Sequence, residues 1–135
     1  MAKELATQLI EQLQAAGVQR IYGIVGDSLN PIVDAVRQTG GSKKGGIDWI
    51  HVRHEEAAAF AAAAEAQLTG KLAVCAGSCG PGNLHLINGL YDANRTGAPG
   101  ACHRFAHPPA SRLAADSSRK LIRTGSSTSA PCIRR

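Results

Sequence analysis

The stretch VRHEEAAAF (52–60) sets two carboxylates, Glu55 and Glu56, side by side behind His54. Acids at the start of a helix are favoured by its dipole, by roughly a few tenths of a kcal/mol. That account suffices for one of them. The other has a second use, because a carboxylate placed where a buried strand ends can relay a proton.

Two glycine turns offer places for such a group to work. GSCGPGN (77–83) follows an apolar run. Its glycines let backbone approach a flat ligand, Pro81 stiffens the loop, and it lacks the Lys-Ser/Thr of a phosphate-gripping loop. GIVGDS (23–28) can bring backbone N–H groups to an anion, yet it matches neither a dinucleotide fingerprint nor a Walker loop. From the residues alone both remain readable as plain turns or as ligand loops. Cys75 and Cys79 stand at C-x3-C, without the usual zinc-knuckle spacing, and Cys102-His103 adds no regular ligand set, so no metal site is expected. His51, His54 and His85 read as structural unless something else singles one out.

The elements that must hold these residues alternate along the chain. Leu5, Leu9, Ile10, Leu13 and Ala16 recur at helical spacing over 3–16, and Gly17 ends that helix. RIYGIVG (20–26) reads as a strand running into a glycine turn, with Asp27 and Ser28 as caps for a helix over 31–38 that has Pro31 near its start. GGSKKGG (40–46) reads as a flexible basic loop, and IDWIHV (47–52) as a second strand. An alanine-rich helix over 55–68 permits close backbone packing and stops at Gly70. KLAVCAG (71–77) is apolar throughout, as a parallel strand covered on both faces should be. A helix over 84–93 follows, with Leu84, Ile87, Leu90 and Tyr91 on one face. This alternation predicts an α/β fold, a parallel sheet sandwiched by helices, and a further strand after Pro99.

The chain has 135 residues, 44% hydrophobic and 19% charged, which suits one globular domain. It has no apolar run near the roughly 20 residues that span a bilayer, and its start is an amphipathic helix rather than a signal peptide, so a cytoplasmic location is expected. Four cysteines in such a chain read as free thiols. The net charge of +5 comes from the tail: residues 1–100 hold eight Lys/Arg and nine Asp/Glu, residues 101–135 seven and one. That tail has no alternation, no useful helical stripe and one aromatic, Phe105, a poor match to a nucleic-acid-binding arm. Two segments are therefore distinguished, 1–99 and 100–135.

With AGVQRIYGIVGDSLN, VRHEEAAAF and LAVCAGSCGPGNLHLINGLYDANR all in view, residues 1–99 closely resemble the N-terminal pyrimidine-binding domain of thiamine-diphosphate enzymes. Within that superfamily they look like the group of pyruvate oxidase and quinone-dependent pyruvate dehydrogenase, near acetolactate synthase. The resemblance implies a thiamine-diphosphate-binding fold, incomplete on its C-terminal side, and a parent enzyme that decarboxylates pyruvate or a similar 2-keto acid. It makes Glu55, the first acid after the His of the RHE motif, the catalytic and cofactor-binding glutamate, which would hydrogen-bond the aminopyrimidine ring and favour its imino tautomer. Glu56 becomes the helix-start acid. Gly26, Ser78, Pro81 and Gly82 match the family's pocket loops, and His85 falls where relatives place a polar side chain.

Family members are several times longer, with a middle domain for FAD and a C-terminal domain that grips the diphosphate through Mg²⁺. They form homo-oligomers whose sites lie between subunits. The resemblance therefore implies that this chain supplies the pyrimidine half of a site and is inactive alone, while composition gives no expectation of nucleic-acid binding or of a membrane-spanning segment. Other readings are a non-catalytic protein that pairs with a full-length thiamine enzyme, and an acetolactate synthase-type fragment. For 100–135 the resemblance also suggests a frameshift: codons allowed for 102–108, moved by one base, read AIASHIP, the strand expected there.

Overall fold

The computed structural model describes residues 4–97. The expected strand after Pro99, the boundary near residue 100 and the whole tail lie outside the described residues. Within them the order is α1 (Leu5–Ala15), β1 (Arg20–Gly23), a 3-10 turn (Asp27–Leu29), α2 (Asn30–Gln38), a second 3-10 turn (Ser42–Lys44), β2 (Asp48–His51), α3 (Glu55–Thr69), β3 (Val74–Ala76), α4 (Pro81–His85) and α5 (Ile87–Arg95).

The three strands form a parallel sheet in the order β2-β1-β3. Ile21 is paired with Trp49 on one side and Val74 on the other, while Tyr22 is paired with Ile50 and Cys75. Because strand side chains alternate between faces, the sheet builds two cores. Ile21, Val74 and Ala76 pack with Ala6, Ile10 and Leu13 of α1 and Ala35 and Val36 of α2. Cys75 and Tyr22 pack on the opposite face with Ala58, Ala59, Ala62 and Ala66 of α3, and with Leu86. All of β3 is buried, as its unbroken apolar run requires.

Small residues set the spacing of the second layer. A Cβ on Gly89 of α5 would lie 2.5 Å from Ala59 Cβ and 2.8 Å from Phe60 N, so the α3–α5 contact is backbone against backbone. On the sheet, a Cβ at Gly23 would lie 2.6 Å from the Ala76 carbonyl oxygen.

Several boundaries differ from the sequence reading. β1 ends at Gly23, and Val25 is exposed. β3 is confined to Val74–Ala76. Asp27 and Ser28 do not cap α2 through their side chains; they belong to the 3-10 turn, in which the Leu29 N–H donates to the Gly26 carbonyl. The expected helix over 84–93 begins at Pro81 and is two pieces, broken at Leu86, whose buried side chain turns into the α3 core. The 40–46 loop is tied down: the Ser42 N–H and hydroxyl both donate to the Asp48 carboxylate, and these bonds hold that carboxyl below its usual range.

Candidate functional site

The topology fixes where a ligand would sit. The connection leaving β1 leads to α2 on one face, and the connection leaving β3 leads through α4 to α5 on the other. Neighbouring strands whose connections depart to opposite faces leave a crevice beyond their carboxyl ends, the usual ligand position in open α/β sheets.

The two glycine turns read from the sequence meet there. A Cβ at Gly26 would lie 3.0 Å from Ser78 Cβ, so the loop after β1 touches the loop after β3. The contact is pinned by a hydrogen bond the sequence did not reveal, from the Cys79 N–H to Ser28 Oγ at 3.1 Å. Gly77 is likewise confined, since a Cβ there would lie 2.7 Å from the Gly82 carbonyl oxygen. Pro81 occupies the first turn of α4 and is exposed, while Gly82 is buried.

Glu55 enters from the far side of β1. β2 delivers the chain to His54, which is extended at the N-cap of α3, and its Nδ1 accepts the Glu56 N–H at 3.2 Å. The next side chain, Glu55, is the buried charged residue of the described region, 8% exposed. One carboxylate oxygen, Oε2, lies 3.1 Å from His85 Nδ1 at the end of α4. The other faces the glycine loop: a Cβ on Gly82 would stand 2.9 Å from Glu55 Oε1 and 2.8 Å from Ser78 Oγ. Glu56 points elsewhere and accepts from Asn88 Nδ2 at 2.7 Å. The adjacent acids thus have different environments, one in the crevice and one on the α3–α5 surface.

The structure brings Glu55, Ser78, Gly82 and His85 together, with Gly26 against Ser78. His54, read from the sequence as structural, stacks on His85 with ring centroids 4.6 Å apart and planes inclined by 27°. Cys75 is buried in the sheet and Cys79 is exposed on the loop. Cys102 and His103 lie outside the described residues. His51 is exposed at the end of β2.

A withdrawn carboxylate beside a loop stripped of side chains suits a flat, polar heteroaromatic ring, which the backbone can approach closely and the acid can hydrogen-bond. Comparison with known proteins defines the class. The family model of the thiamine pyrophosphate enzyme N-terminal TPP binding domain matches residues 3–100, and the chain belongs to that family. It is similar to an uncharacterized 42.6 kDa protein of Pseudomonas amyloderamosa, 66% identical over 96 residues that make up 71% of this chain and 23% of that protein. It is 52% identical over 91 residues to pyruvate oxidase of Lactiplantibacillus plantarum, covering 67% of this chain and 14% of that protein. It is 39% identical over 88 residues to the acetolactate synthase isozyme 2 large subunit of Escherichia coli, covering 65% and 15%. The chain spans under a quarter of each of these relatives. No helix among the described residues is long and apolar enough to cross a membrane.

Proposed function

We propose that residues 4–97 form the half of a thiamine-diphosphate site that receives the aminopyrimidine ring, in an enzyme that decarboxylates pyruvate or a similar 2-keto acid. The observation that carries this reading is the withdrawn Glu55 carboxylate, with one oxygen against Gly82 and the other on His85.

Glu55 would accept a hydrogen bond from the ring, or donate one to it, and so govern where the ring's protons reside. Gly26, Ser78, Pro81 and Gly82 would form the wall on which the ring lies, with Gly82 keeping the approach to Glu55 open. His85 would orient the carboxylate through Oε2 and exchange protons with it at the edge of the crevice. The cofactor, once bound, supplies the electron sink that a 2-keto acid needs to lose carbon dioxide. Mg²⁺ at the diphosphate and FAD would be held by other domains of the longer enzyme, and the complete site would form in an assembly of more than one subunit.

A chimaera tests the proposal: residues 1–97 replace the matching segment of Lactiplantibacillus plantarum pyruvate oxidase. The expected result is thiamine-diphosphate-dependent turnover of pyruvate. A folded chimaera that binds no thiamine diphosphate would refute it.

A second reading draws on exposed apolar side chains of the helices beyond the sheet, Phe60, Leu84 and Tyr91. In that reading the chain docks on a full-length thiamine enzyme without catalysing anything. Co-expression followed by size exclusion separates the two readings, because stable incorporation of the 135-residue chain into an inactive oligomer supports docking.

A further inference from the structure

His54, Glu55 and His85 each place one donor atom within 4.8 Å of the others, and they are the group of potential metal ligands found among the described residues. We propose that this trio binds a borderline transition-metal ion such as Zn²⁺, Co²⁺ or Ni²⁺, in a site separate from any Mg²⁺ held at a diphosphate.

The donor set decides the class of ion. Two imidazole nitrogens and one carboxylate oxygen match the ligand sets of open zinc sites, whereas Mg²⁺ and Ca²⁺ prefer oxygen throughout. The geometry is close to what is needed. Ligand atoms around a four-coordinate zinc, bonded at about 2.0–2.2 Å, lie roughly 3.4 Å from one another. Closing from 4.8 Å requires up to about 1.4 Å of movement, in which the half-exposed rings of His54 and His85 give up their stacking and the cap bond at His54 to turn toward the ion. Glu55, 11% exposed, is the fixed ligand against which they close.

The backbone already holds the three in place. His54 and Glu55 are adjacent at the start of α3, and His85 ends α4 with its Nδ1 3.1 Å from Glu55 Oε2. The hydrogen bond between them would be exchanged for two bonds to the ion. Exposure of both rings leaves the remaining coordination positions to water.

An ion there takes the Glu55 carboxylate. Resting on the function proposed above, it would therefore compete with thiamine diphosphate for the same acid, and zinc would act as an inhibitor that added cofactor relieves. The binding itself does not depend on that function.

The test is titration of the full 135-residue chain with Co²⁺, read by its visible d–d absorption, in a background where Cys79, Cys102 and Cys132 are changed to Ser. The expected result is one ion bound without a thiolate charge-transfer band, displaced by Zn²⁺, with affinity lowered more than about tenfold by His85→Gln and by His54→Asn. Asn at position 54 keeps a side-chain acceptor for the helix cap while removing the ligand, and circular dichroism of each variant verifies the fold. Absence of binding, or binding unchanged by both variants, would overturn the proposal. Either outcome leaves the thiamine reading standing, because the chimaera tests that reading without transition metal.

Discussion

Helix α3 carries two withdrawn carboxylates, Glu55 in its first turn and Glu65 near its last, with side chains 11% and 15% exposed. They are held in opposite ways. Glu65 Oε1 is 2.5 Å from Arg20 Nη1, a cation that stays charged at any working pH. The hydrogen bond and charge of Glu65 raise the arginine further, and Tyr22 beside it is pushed up by burial and then by its hydrogen bond to Glu65. Glu65 is thus tied to a fixed cation. Glu55 has no such partner; it faces an imidazole that can donate or accept and a glycine loop that leaves its second oxygen approachable. The difference teaches where reactivity can reside, in the acid whose counter-group is exchangeable.

The largest expected effect breaks that contrast at the site. In the chimaera, Glu55→Gln should lower pyruvate turnover by about 100-fold or more, within the range of general acid–base contributions, measured as steady-state rate at saturating cofactor.

Next comes the packing on which the helix depends. Gly89→Ala would drive a methyl into Ala59 and the Phe60 backbone and should cost about 2 kcal/mol in thermal or urea unfolding. Gly82→Ala meets only the ends of the Ser78 and Glu55 side chains, so stability should change by less than about 1 kcal/mol. Its turnover should nonetheless fall, because the displaced group is the acid itself.

At the other carboxylate the effect is smaller. Arg20→Gln leaves Glu65 without its cation. With Arg20 partly exposed, the loss should be at most about 1 kcal/mol in unfolding of the chain, and turnover of the chimaera should be unchanged.

The smallest effect is local and acid-dependent. Asp48 is held below its usual value of 3.8 by hydrogen bonds from the Ser42 hydroxyl and N–H. A depressed native pKa contributes stability above the unfolded value that is lost as pH falls through the native one. The Ser42 amide should therefore lose hydrogen-exchange protection as the pH is taken below 3.8, and Asp48→Asn should remove that dependence.

Most of this architecture is legible in the sequence because it rests on local signals. Gly70 stops α3 in a left-handed conformation, and the all-apolar run through Val74–Ala76 marks a strand buried on both faces. What escapes depends on distant partners. Nothing local shows that Leu86 will break a helix, because its burial depends on α3 lying opposite. Ser28 looks like a cap by type, yet its hydroxyl is used by Cys79 across the crevice, a contact made only when β1 and β3 are neighbours. The two glutamates show the same limit. Side by side they are equivalent as helix-start acids, and the RHE resemblance favours the first for a reason periodicity cannot supply. Their separation appears in space, with Glu55 on His85 and Glu56 on Asn88. The stacking of His54 on His85 has no sequence signal at all.

The most direct measurement is a crossed comparison in the chimaera, Glu55→Gln against Glu65→Gln, with pyruvate turnover and melting temperature read on both. The account predicts that Glu55→Gln lowers turnover by about 100-fold or more with little change in melting, and that Glu65→Gln keeps turnover while melting falls. Turnover retained by Glu55→Gln in a folded, cofactor-bound protein would contradict it.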